Sequence, residues 1–325
     1  MSFSKDVLKL DCAKETDRIA AKMREALVKM KKRGLVVAMS GGIDSSVVGA
    51  LAVKILGKDR VFGLLMPEAD SSDETRRLSK MLVEGFGCKY AHEELTPILE
   101  AVGCYRRRDE AIKMALPDYG KGWKSKIVLP SVVDTDQLRT YYVIAHTPDG
   151  KEVKAHMPLD AYLGVVAATN FKQRTRKMLE YYHADRLNYA ASGTPNLLEY
   201  DQGFFVKLGD GAADIKPIAH LYKSQVYMMA EHLGVPAEIR KRPPTTDTYS
   251  LPQSQEEFYF SLPYDKMDLA LYAYNHKVSA DECGKVLGLT AEQTQRIYRD
   301  IEGKRAFAKY LHMEPQLVDE SIKPR

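Results

Sequence analysis

The stretch between residues 35 and 57 joins a short apolar run to a helical pattern through two glycines. The run LVVAM at 35–39 has the length and the β-branched content of a buried strand. SGG at 40–42 makes a tight turn after it, and the next apolar segment predicts a helix that ends at Gly57. A strand, a glycine turn and a helix form the first half of a βαβ unit. The chain is therefore constrained towards a parallel sheet that helices cover.

The alternation of strands and helices continues along the chain. Ser71 and Glu74 have the spacing of a capping box, which opens a helix to about Phe86. Periodicity predicts the other elements: strands at 60–67, 88–93 and 186–192, helices at 15–33, at 160–183 and up to Gly234, and helical structure from about 255. The pattern predicts an α/β fold with a doubly wound, mostly parallel sheet, helices on both faces and a helical C-terminal part.

The alternation breaks between residues 105 and 156. This stretch holds the only tryptophan, Trp123, and a Pro-Asp-Gly turn at 148–150 between β-rich flanks, which predicts a hairpin. We expect one domain over residues 1–254, with an insertion at 105–156 on the rim of the sheet, and a helical extension over 255–325. The insertion leaves the sheet after the third strand and can reach the carboxyl edge where ligands bind, so we expect a lid over the substrate that accepts a group in any reaction there. A surface elaboration is the alternative.

Composition argues against several classes of function. The net charge of +4 comes from 48 basic and 44 acidic residues spread along the chain, so no basic face for nucleic acid stands out. The four cysteines are far apart and form no CxxC pair, which favours a reduced, cytoplasmic protein without structural zinc. No stretch approaches the roughly 18 apolar residues of a membrane helix. We expect small-molecule partners, and neither nucleic acid nor a membrane.

An acid, Asp44, follows the glycine turn, whereas the Walker A loop carries a lysine after its glycines and the Rossmann loop carries a third glycine. A turn between a strand and a helix offers free backbone N–H groups and a positive helix end to an anion such as phosphate. A carboxylate beside phosphates is repulsive unless a divalent cation lies between them, so Asp44 predicts bound Mg²⁺. The structural alternative is that Ser40 or Asp44 only caps the helix.

A second group of polar residues follows the strand predicted at 186–192. Thr194 lies directly after this strand, at the same edge of the sheet as the glycine turn, and Glu199 is close enough in sequence to offer the cation a second carboxylate. Lys223 falls near the start of its helix, where a cation opposes the helix dipole unless an anion is shared between them. A surface acid and a solvated lysine are the alternatives.

The sequence SGGIDSS after a strand resembles the PP-loop of the ATP pyrophosphatases. These enzymes cleave ATP between its α and β phosphates and activate a substrate as its adenylate. The resemblance implies the adenine nucleotide alpha hydrolase-like form of the doubly wound fold. It also implies that ATP binds the residues of the turn, which are Ser40, Gly41, Gly42, Asp44, Ser45 and Ser46.

Most of the chain outside the insertion resembles the ammonia-dependent NAD synthetases. The matching segments are NFKQRTRK (170–177), GTPNLLE (193–199), GFFVKLGDGAAD (203–214), HLYK (220–223), RPPTTDT (242–248), SQEEFYFSLPYDKMD (254–268) and GKR (303–305). The resemblance implies ATP contacts from Thr194, Lys223 and Thr245, Mg²⁺ ligation by Asp44 and Glu199, and deamido-NAD contacts from Arg174, Lys207, Asp214 and Lys304. Its expected catalytic residues are Asp44, Lys223 and Asp214. Gly303 stands where the family has histidine, and the insertion is longer than the family's.

The implied reaction is the amidation of deamido-NAD by ammonia through an adenylate, which releases AMP and pyrophosphate. Ammonia would arrive free or from a partner protein. An amidotransferase-like enzyme that adenylates another carboxylate, a tRNA thiolase and a nucleotide sensor are the alternatives. A tRNA thiolase would need paired cysteines and a basic face for RNA, and this sequence has neither. Asp44, Glu199 and Lys223 count against a nucleotide sensor, because binding alone does not require a pyrophosphate clamp.

The resemblance also implies a homodimer with the dinucleotide site near the subunit interface. An apolar stripe on the first predicted helix, formed by Ile19, Met23, Leu27 and Met30, needs a cover, and a second subunit would provide one. Packing of the stripe within its own subunit is the alternative.

Overall fold

Four short parallel strands form the central sheet. The computed structural model describes residues 3–129, 140–244, 248–254, 256–260 and 262–319. The strands of this sheet are β1 (Leu35–Ala38), β2 (Val61–Leu65), β3 (Lys89–His92) and β7 (Ala190–Ala191), in the order β3-β2-β1-β7. Leu35 pairs in parallel with Val61 on one side and with Ala190 on the other. The order reverses beside β1, which is the doubly wound arrangement that the sequence predicted.

Helices cover both faces of this sheet. In chain order, the helices of the described residues are α1 (Cys12–Lys29), α2 (Ile43–Leu56), α3 (Asp73–Phe86), α4 (Thr96–Ala101), α5 (Cys104–Lys113), α6 (Leu159–Leu187), α7 (Leu197–Gln202), α8 (Lys223–His232), α9 (Ala237–Lys241), α10 (Tyr264–Asn275), α11 (Ala280–Leu287) and α12 (Ala291–His312). Side chains alternate across β1: Leu35 and Val37 pack among α1, α2 and α8, and Val36 packs on the opposite face with residues of α4, α5 and α6. The continuously apolar strand follows from burial on both faces.

Three boundaries differ from the sequence predictions. Helix α3 is capped by Ser72, whose side chain accepts from the backbone N–H of Thr75, so the N-cap predicted at Ser71 is wrong by one residue and its capping box with Glu74 does not form. Helix α1 ends at Lys29, before Gly34. Strand β7 has two residues because helix α6 continues to Leu187, through the start of the predicted strand.

The apolar stripe of α1 is buried within its own subunit. Ile19, Met23 and Leu27 are at most 4 % exposed and belong to the core that α1 shares with α2 and α8, and Met30 packs against that core. The stripe therefore has its cover in the same chain, and the argument for a dimer from this stripe is wrong.

The insertion carries a second, antiparallel sheet. Strands β4 (Lys124–Val128), β5 (Tyr142–His146) and β6 (Glu152–His156) are ordered β4-β5-β6, and we call them the inserted sheet. The predicted hairpin between β5 and β6 is present, with Gly150 at φ 85° in its turn. Val143 and Ala145 face a local core that α5 and α6 complete. Helix α5 lies, except for its first residue, inside the interval predicted as an insertion, yet it packs along α6 as part of the main body.

The C-terminal part is helical, as the sequence predicted. A π-helical turn over Glu256–Phe260 precedes α10, and α10, α11 and α12 pack around a core that includes Met267, Leu271, Ile297 and Ile301. Across the described part of the chain, no helix combines the length and the apolar character needed to cross a membrane.

Candidate active site

A cleft of about 720 Å³ opens at the carboxyl edge of the central sheet. It lies where the turn after β1 meets the turn after β7, which is the switch point at which open α/β sheets bind ligands. The predicted residues that line it are Ser40, Gly41, Gly42, Asp44, Ser45, Arg174, Thr194, Glu199, Lys207 and Lys223. The fold therefore brings together two groups of residues that are about 150 positions apart in sequence.

The glycine turn leaves the start of helix α2 without a side-chain cap. The N-cap position is Gly42, so the alternative that Ser40 or Asp44 caps the helix is wrong. The Ser40 and Ser45 hydroxyls lie 3.0 Å apart at the cleft. Ser46 is fully buried and donates to the Gly42 carbonyl at 2.7 Å, so it supports the turn from behind. A helix start with no side-chain cap, open to a cleft, is a favourable place for phosphate oxygens.

Gly41 is required by both conformation and space. Its φ of 74° is in the left-handed region, and a Cβ there would lie 3.0 Å from the Leu78 Cβ and from the Ser79 nitrogen in helix α3. The turn consequently packs directly on α3, and only glycine permits this approach without strain.

Asp44 is the centre of a buried polar cluster. Its carboxylate accepts a hydrogen bond from the side-chain amine of Lys223 on one oxygen and from the Asn196 amide at 3.0 Å on the other. Lys223 is 2 % exposed, so this is a desolvated ion pair. Burial alone lowers the pKa of the Lys223 amine, but the carboxylates of Asp44 and Glu199 outweigh that penalty and hold the pKa above its ordinary value. The amine is therefore a permanent cation in the cleft.

Asp268 holds the start of the lysine's helix. Lys223 is the first residue of α8, as predicted, and the Asp268 carboxylate on α10 accepts from the backbone N–H groups of Lys223 at 3.1 Å and Ser224 at 2.6 Å. The acid thus supplies from another helix the cap that α8 needs, and its charge offsets the unfavourable placement of a lysine at a helix start. Burial raises the pKa of Asp268 to about 6.

Glu199 and Asp44 form a donor set that suits Mg²⁺. Glu199 is the third residue of α7 and completes a capping box with Asn196, whose backbone N–H donates to it at 3.1 Å. Asn196 thus contacts both carboxylates. Mg²⁺ prefers oxygen ligands and is usually held by one or two protein carboxylates together with substrate phosphates. A cluster of three or more acidic, histidine or cysteine ligands is absent from the described residues, so phosphate and water would complete the coordination.

The predicted dinucleotide contacts divide into two sets. Arg174 and Lys207 line the cleft, and the Lys207 amine donates to the carbonyls of Tyr310 and Met313 at 2.9 and 3.0 Å. Asp214 is exposed and is not among the lining residues; it accepts from the backbone N–H of Ala191 at 2.8 Å.

Two further predicted contacts are Lys304 and Thr245. The Lys304 amine is held by the Tyr259 carbonyl at 2.7 Å and by Asp300 at 2.6 Å, and Lys304 is likewise not among the lining residues. Thr245 falls outside the described residues.

Sequence reasoning missed two residues of the polar cluster. The role of Asn196 could have been predicted from the sequence, because Asn-x-x-Glu ahead of a short helix is the signature of a capping box. Asp268 gave no local signal, since its partners are 45 and 44 positions away.

The family model described as NAD synthase matches residues 15–117 and 150–309. The chain belongs to the NAD synthase family. The NAD synthase match leaves out residues 118–149, which include all of β4 and β5. The PP-loop resemblance of the glycine turn is therefore part of a match that extends over most of the chain.

Close relatives in this NAD synthase family share nearly the whole chain. The NH3-dependent NAD+ synthetase of Rhizobium meliloti (strain 1021) is 58 % identical over 316 residues, which are 97 % of this chain and 95 % of the relative. That of Thermotoga maritima is 35 % identical over 283 residues, or 86 % and 95 % of the two chains.

Solved structures have the same fold. The NH3-dependent NAD synthetase from Campylobacter jejuni superposes with a TM-score of 0.63 at 21 % identity, over 96 % of this chain and all of that one. The NMN synthetase from Francisella tularensis gives 0.65 at 20 %, with the same coverage. Both likenesses confirm the fold predicted for a NAD synthase.

Proposed function

We propose that the protein is a ligase that amidates deamido-NAD with ammonia at the expense of ATP, giving NAD, AMP and pyrophosphate. Family membership and a relative of 58 % identity that is named an NH3-dependent NAD+ synthetase support the proposal. The observation that carries it is the cluster of Asp44, Lys223 and Asn196 beside the uncapped start of α2. Such a cluster suits a leaving pyrophosphate, because a cation and free N–H groups face the same cleft.

The proposed reaction begins with attack of the nicotinate carboxylate on the α-phosphorus of ATP. Pyrophosphate leaves towards the backbone N–H groups of the 40–46 turn and the Lys223 amine, and Thr194 and Thr245 bind the nucleotide. Ammonia then displaces AMP from the mixed anhydride, which is a far better acyl donor than the free acid. The protein contributes position and preorganised charge.

The proposal assigns Mg²⁺ to Asp44 and Glu199. When bound, the ion neutralises charge on the phosphate oxygens. Asn196 donates a hydrogen bond to each acid, and the Lys223 amine donates one to Asp44. Arg174 and Lys207 in the cleft are assigned to deamido-NAD, while Asp214 and Lys304 are assigned to it on the family resemblance alone.

A test of the function is chromatography of the products formed from ATP, Mg²⁺, ammonium chloride and deamido-NAD. NAD, AMP and pyrophosphate should appear in equal amounts, and omission of ammonium should stop NAD formation. ADP as the nucleotide product would contradict the PP-loop chemistry. Nicotinate mononucleotide is a matched second substrate, and a higher kcat/KM for it than for deamido-NAD would favour the alternative of a different carboxylate acceptor.

We further propose a homodimer in the cytoplasm. The buried stripe of α1 gives no support for a dimer, but helix α6 has exposed apolar side chains. These side chains are each at least half exposed: Leu159, Leu163, Met178 and Tyr182. A second copy would cover this face, and Arg174 lies on the same helix, at the cleft. This arrangement agrees with a dinucleotide site near the subunit interface.

A further inference from the structure

A segment that borders the cleft is hydrogen-bonded to the inserted sheet. Residues 248–254, which we call the cleft-edge segment, run beside strand β4. The backbone N–H of Ser125 donates to the Ser250 hydroxyl at 2.8 Å, and the backbone N–H of Leu251 donates to the Ser125 carbonyl at 3.2 Å. The Gln253 amide donates to the carbonyl of Ile127 in the buried interior. The cleft-edge segment is therefore attached to β4 at three points.

The start of the same segment is held by a buried ionic network. The Thr248 carbonyl accepts from the Lys172 amine at 2.9 Å, and that amine also contacts Glu68 at 2.9 Å and Asp70 at 2.6 Å. Lys172 is 1 % exposed and Glu68 is fully buried. A buried and paired cation of this kind has little freedom, so the Thr248 carbonyl has a fixed partner.

Tyr249 joins the segment to the core of the inserted sheet. It is 5 % exposed and packs in the cluster that contains Ile127, Val143 and Ala145. Its ring also contacts Phe258 edge to face, with centroids 5.6 Å apart. The inserted sheet thus provides both hydrogen bonds and an apolar surface for this stretch of chain.

The other side of the segment faces the candidate site. Thr248 and Tyr249 line the cleft, together with Arg242, Pro243 and Pro244. Arg242 donates to the Thr75 hydroxyl at 3.0 Å, and the carbonyl of Thr75 is one of the atoms that closely surround Gly41. Arg242 is therefore attached beside the glycine turn. The cleft-edge segment is attached to the inserted sheet from Ser250 onward.

We propose that the inserted sheet is an anchor for the ATP side of the cleft, and that Ser250 is a positioning residue for ATP. A free segment loses backbone conformational entropy when a bound ligand orders it, and this loss weakens binding. An anchored segment has already lost that entropy when the protein folds. The Ser250–Ser125 contact thereby favours ATP binding without touching ATP. This inference rests on the proposed function, and it differs from a lid over the acceptor, because its effect falls on ATP.

The experiment compares Ser250→Ala, Ser250→Thr and Thr147→Ala with the wild-type protein. Ser250→Ala should raise the KM for ATP about five- to tenfold, as expected for one lost hydrogen bond. The KM for deamido-NAD should stay within about twofold, and Ser250→Thr should restore the ATP value because it keeps the hydroxyl. Thr147→Ala is the matched control: it removes a hydroxyl that accepts from the Lys151 N–H within the hairpin, away from the cleft-edge segment.

Hydrogen exchange separates the anchor from the function. Backbone amides of residues 248–254 should exchange faster in Ser250→Ala than in the wild-type protein or in Thr147→Ala, a result that needs no turnover. Equal effects on both KM values, equal effects of the two alanine variants, or unchanged exchange would each overturn the anchor. Absence of NAD formation by the wild-type protein, with the exchange difference intact, would overturn the proposed function instead.

Discussion

The side-chain amine of Lys223 donates a hydrogen bond to the carboxylate of Asp44, although 179 positions separate the two residues. Each lies in the first turn of its helix, so the positive ends of α2 and α8 meet at this ion pair. Asp44 and Asp268 offset the charge of the lysine and of the two helix ends. The positive charge of the site suits bound anions, and in the folded protein the carboxylates of Asp44 and Asp268 compensate that charge.

Removal of either predicted metal ligand should abolish most turnover. We expect Asp44→Asn and Glu199→Gln each to lower kcat by about 10² to 10³, because one preorganised charge is lost. Gln still forms the capping box at position 199, so helix α7 should remain intact. The double variant should lose much less than the product of the two single losses, since both act through one ion.

The matched control for this pair is Asp201→Asn. Asp201 lies on the same helix as Glu199 but pairs with Arg305, away from the cleft. Turnover of Asp201→Asn should stay within a few-fold of wild type in assays over a range of Mg²⁺ concentrations. Near-normal rates for Asp44→Asn and Glu199→Gln at low Mg²⁺ would mean that the shared ion is wrongly placed.

Alanine substitutions at two glycines with positive φ should separate the effect of backbone strain on stability from an effect on activity. Gly41→Ala places a Cβ against helix α3 at 3.0 Å, whereas Gly57→Ala, at φ 82°, meets nothing within 4 Å. Both variants should lose about 1 kcal/mol of stability or more from backbone strain, measured by urea unfolding. Only Gly41→Ala should also lose ATP turnover, by at least about tenfold. Full activity in a folded Gly41→Ala protein would contradict the close fit of the turn.

The unfolding free energy should carry a pH dependence from Asp268. Its pKa is raised from 3.8 to about 6 in the folded protein, so the folded state binds the proton more tightly than the unfolded chain. This contribution to stability is full below pH 4 and is lost as the pH rises through 6.

The variant Asp268→Asn removes that titration and keeps one acceptor for the start of α8. Relative to wild type, it should gain about 1–3 kcal/mol between pH 4.5 and 7.5 in urea unfolding. A constant difference between the two proteins across this range would show that Asp268 does not titrate there.

Association should depend on the exposed face of α6. Met178→Glu should shift the mass measured by light scattering from dimer to monomer, because a charge in an apolar interface is left without a partner. Val28→Glu is the control, since Val28 is 78 % exposed on α1. A wild-type monomer that is fully active at micromolar concentration, or loss of the dimer in both variants, would contradict an interface on α6.

The alternation of strands and helices could be predicted because it depends on local patterns. Periodicity and turn chemistry located β1, α2 and the hairpin, and SGGIDSS predicted the turn that lines the cleft. The errors lie at boundaries. The helix before β7 runs on into the predicted strand, because nothing in residues 184–187 distinguishes the end of one element from the start of the next.

Within the site, the sequence by itself determined which residue types are present, and the tertiary structure decided which of them meet. Asp44 and Glu199 were predicted to share a metal ion. Only the fold brings Asn196 into hydrogen-bond contact with both acids and brings the Asp268 carboxylate to the backbone N–H of Lys223. It also buries the stripe of α1, leaves Asp214 outside the cleft, and joins the cleft-edge segment to the inserted sheet. Such contacts join residues distant in sequence, and their free energy depends on burial, which a local pattern does not contain.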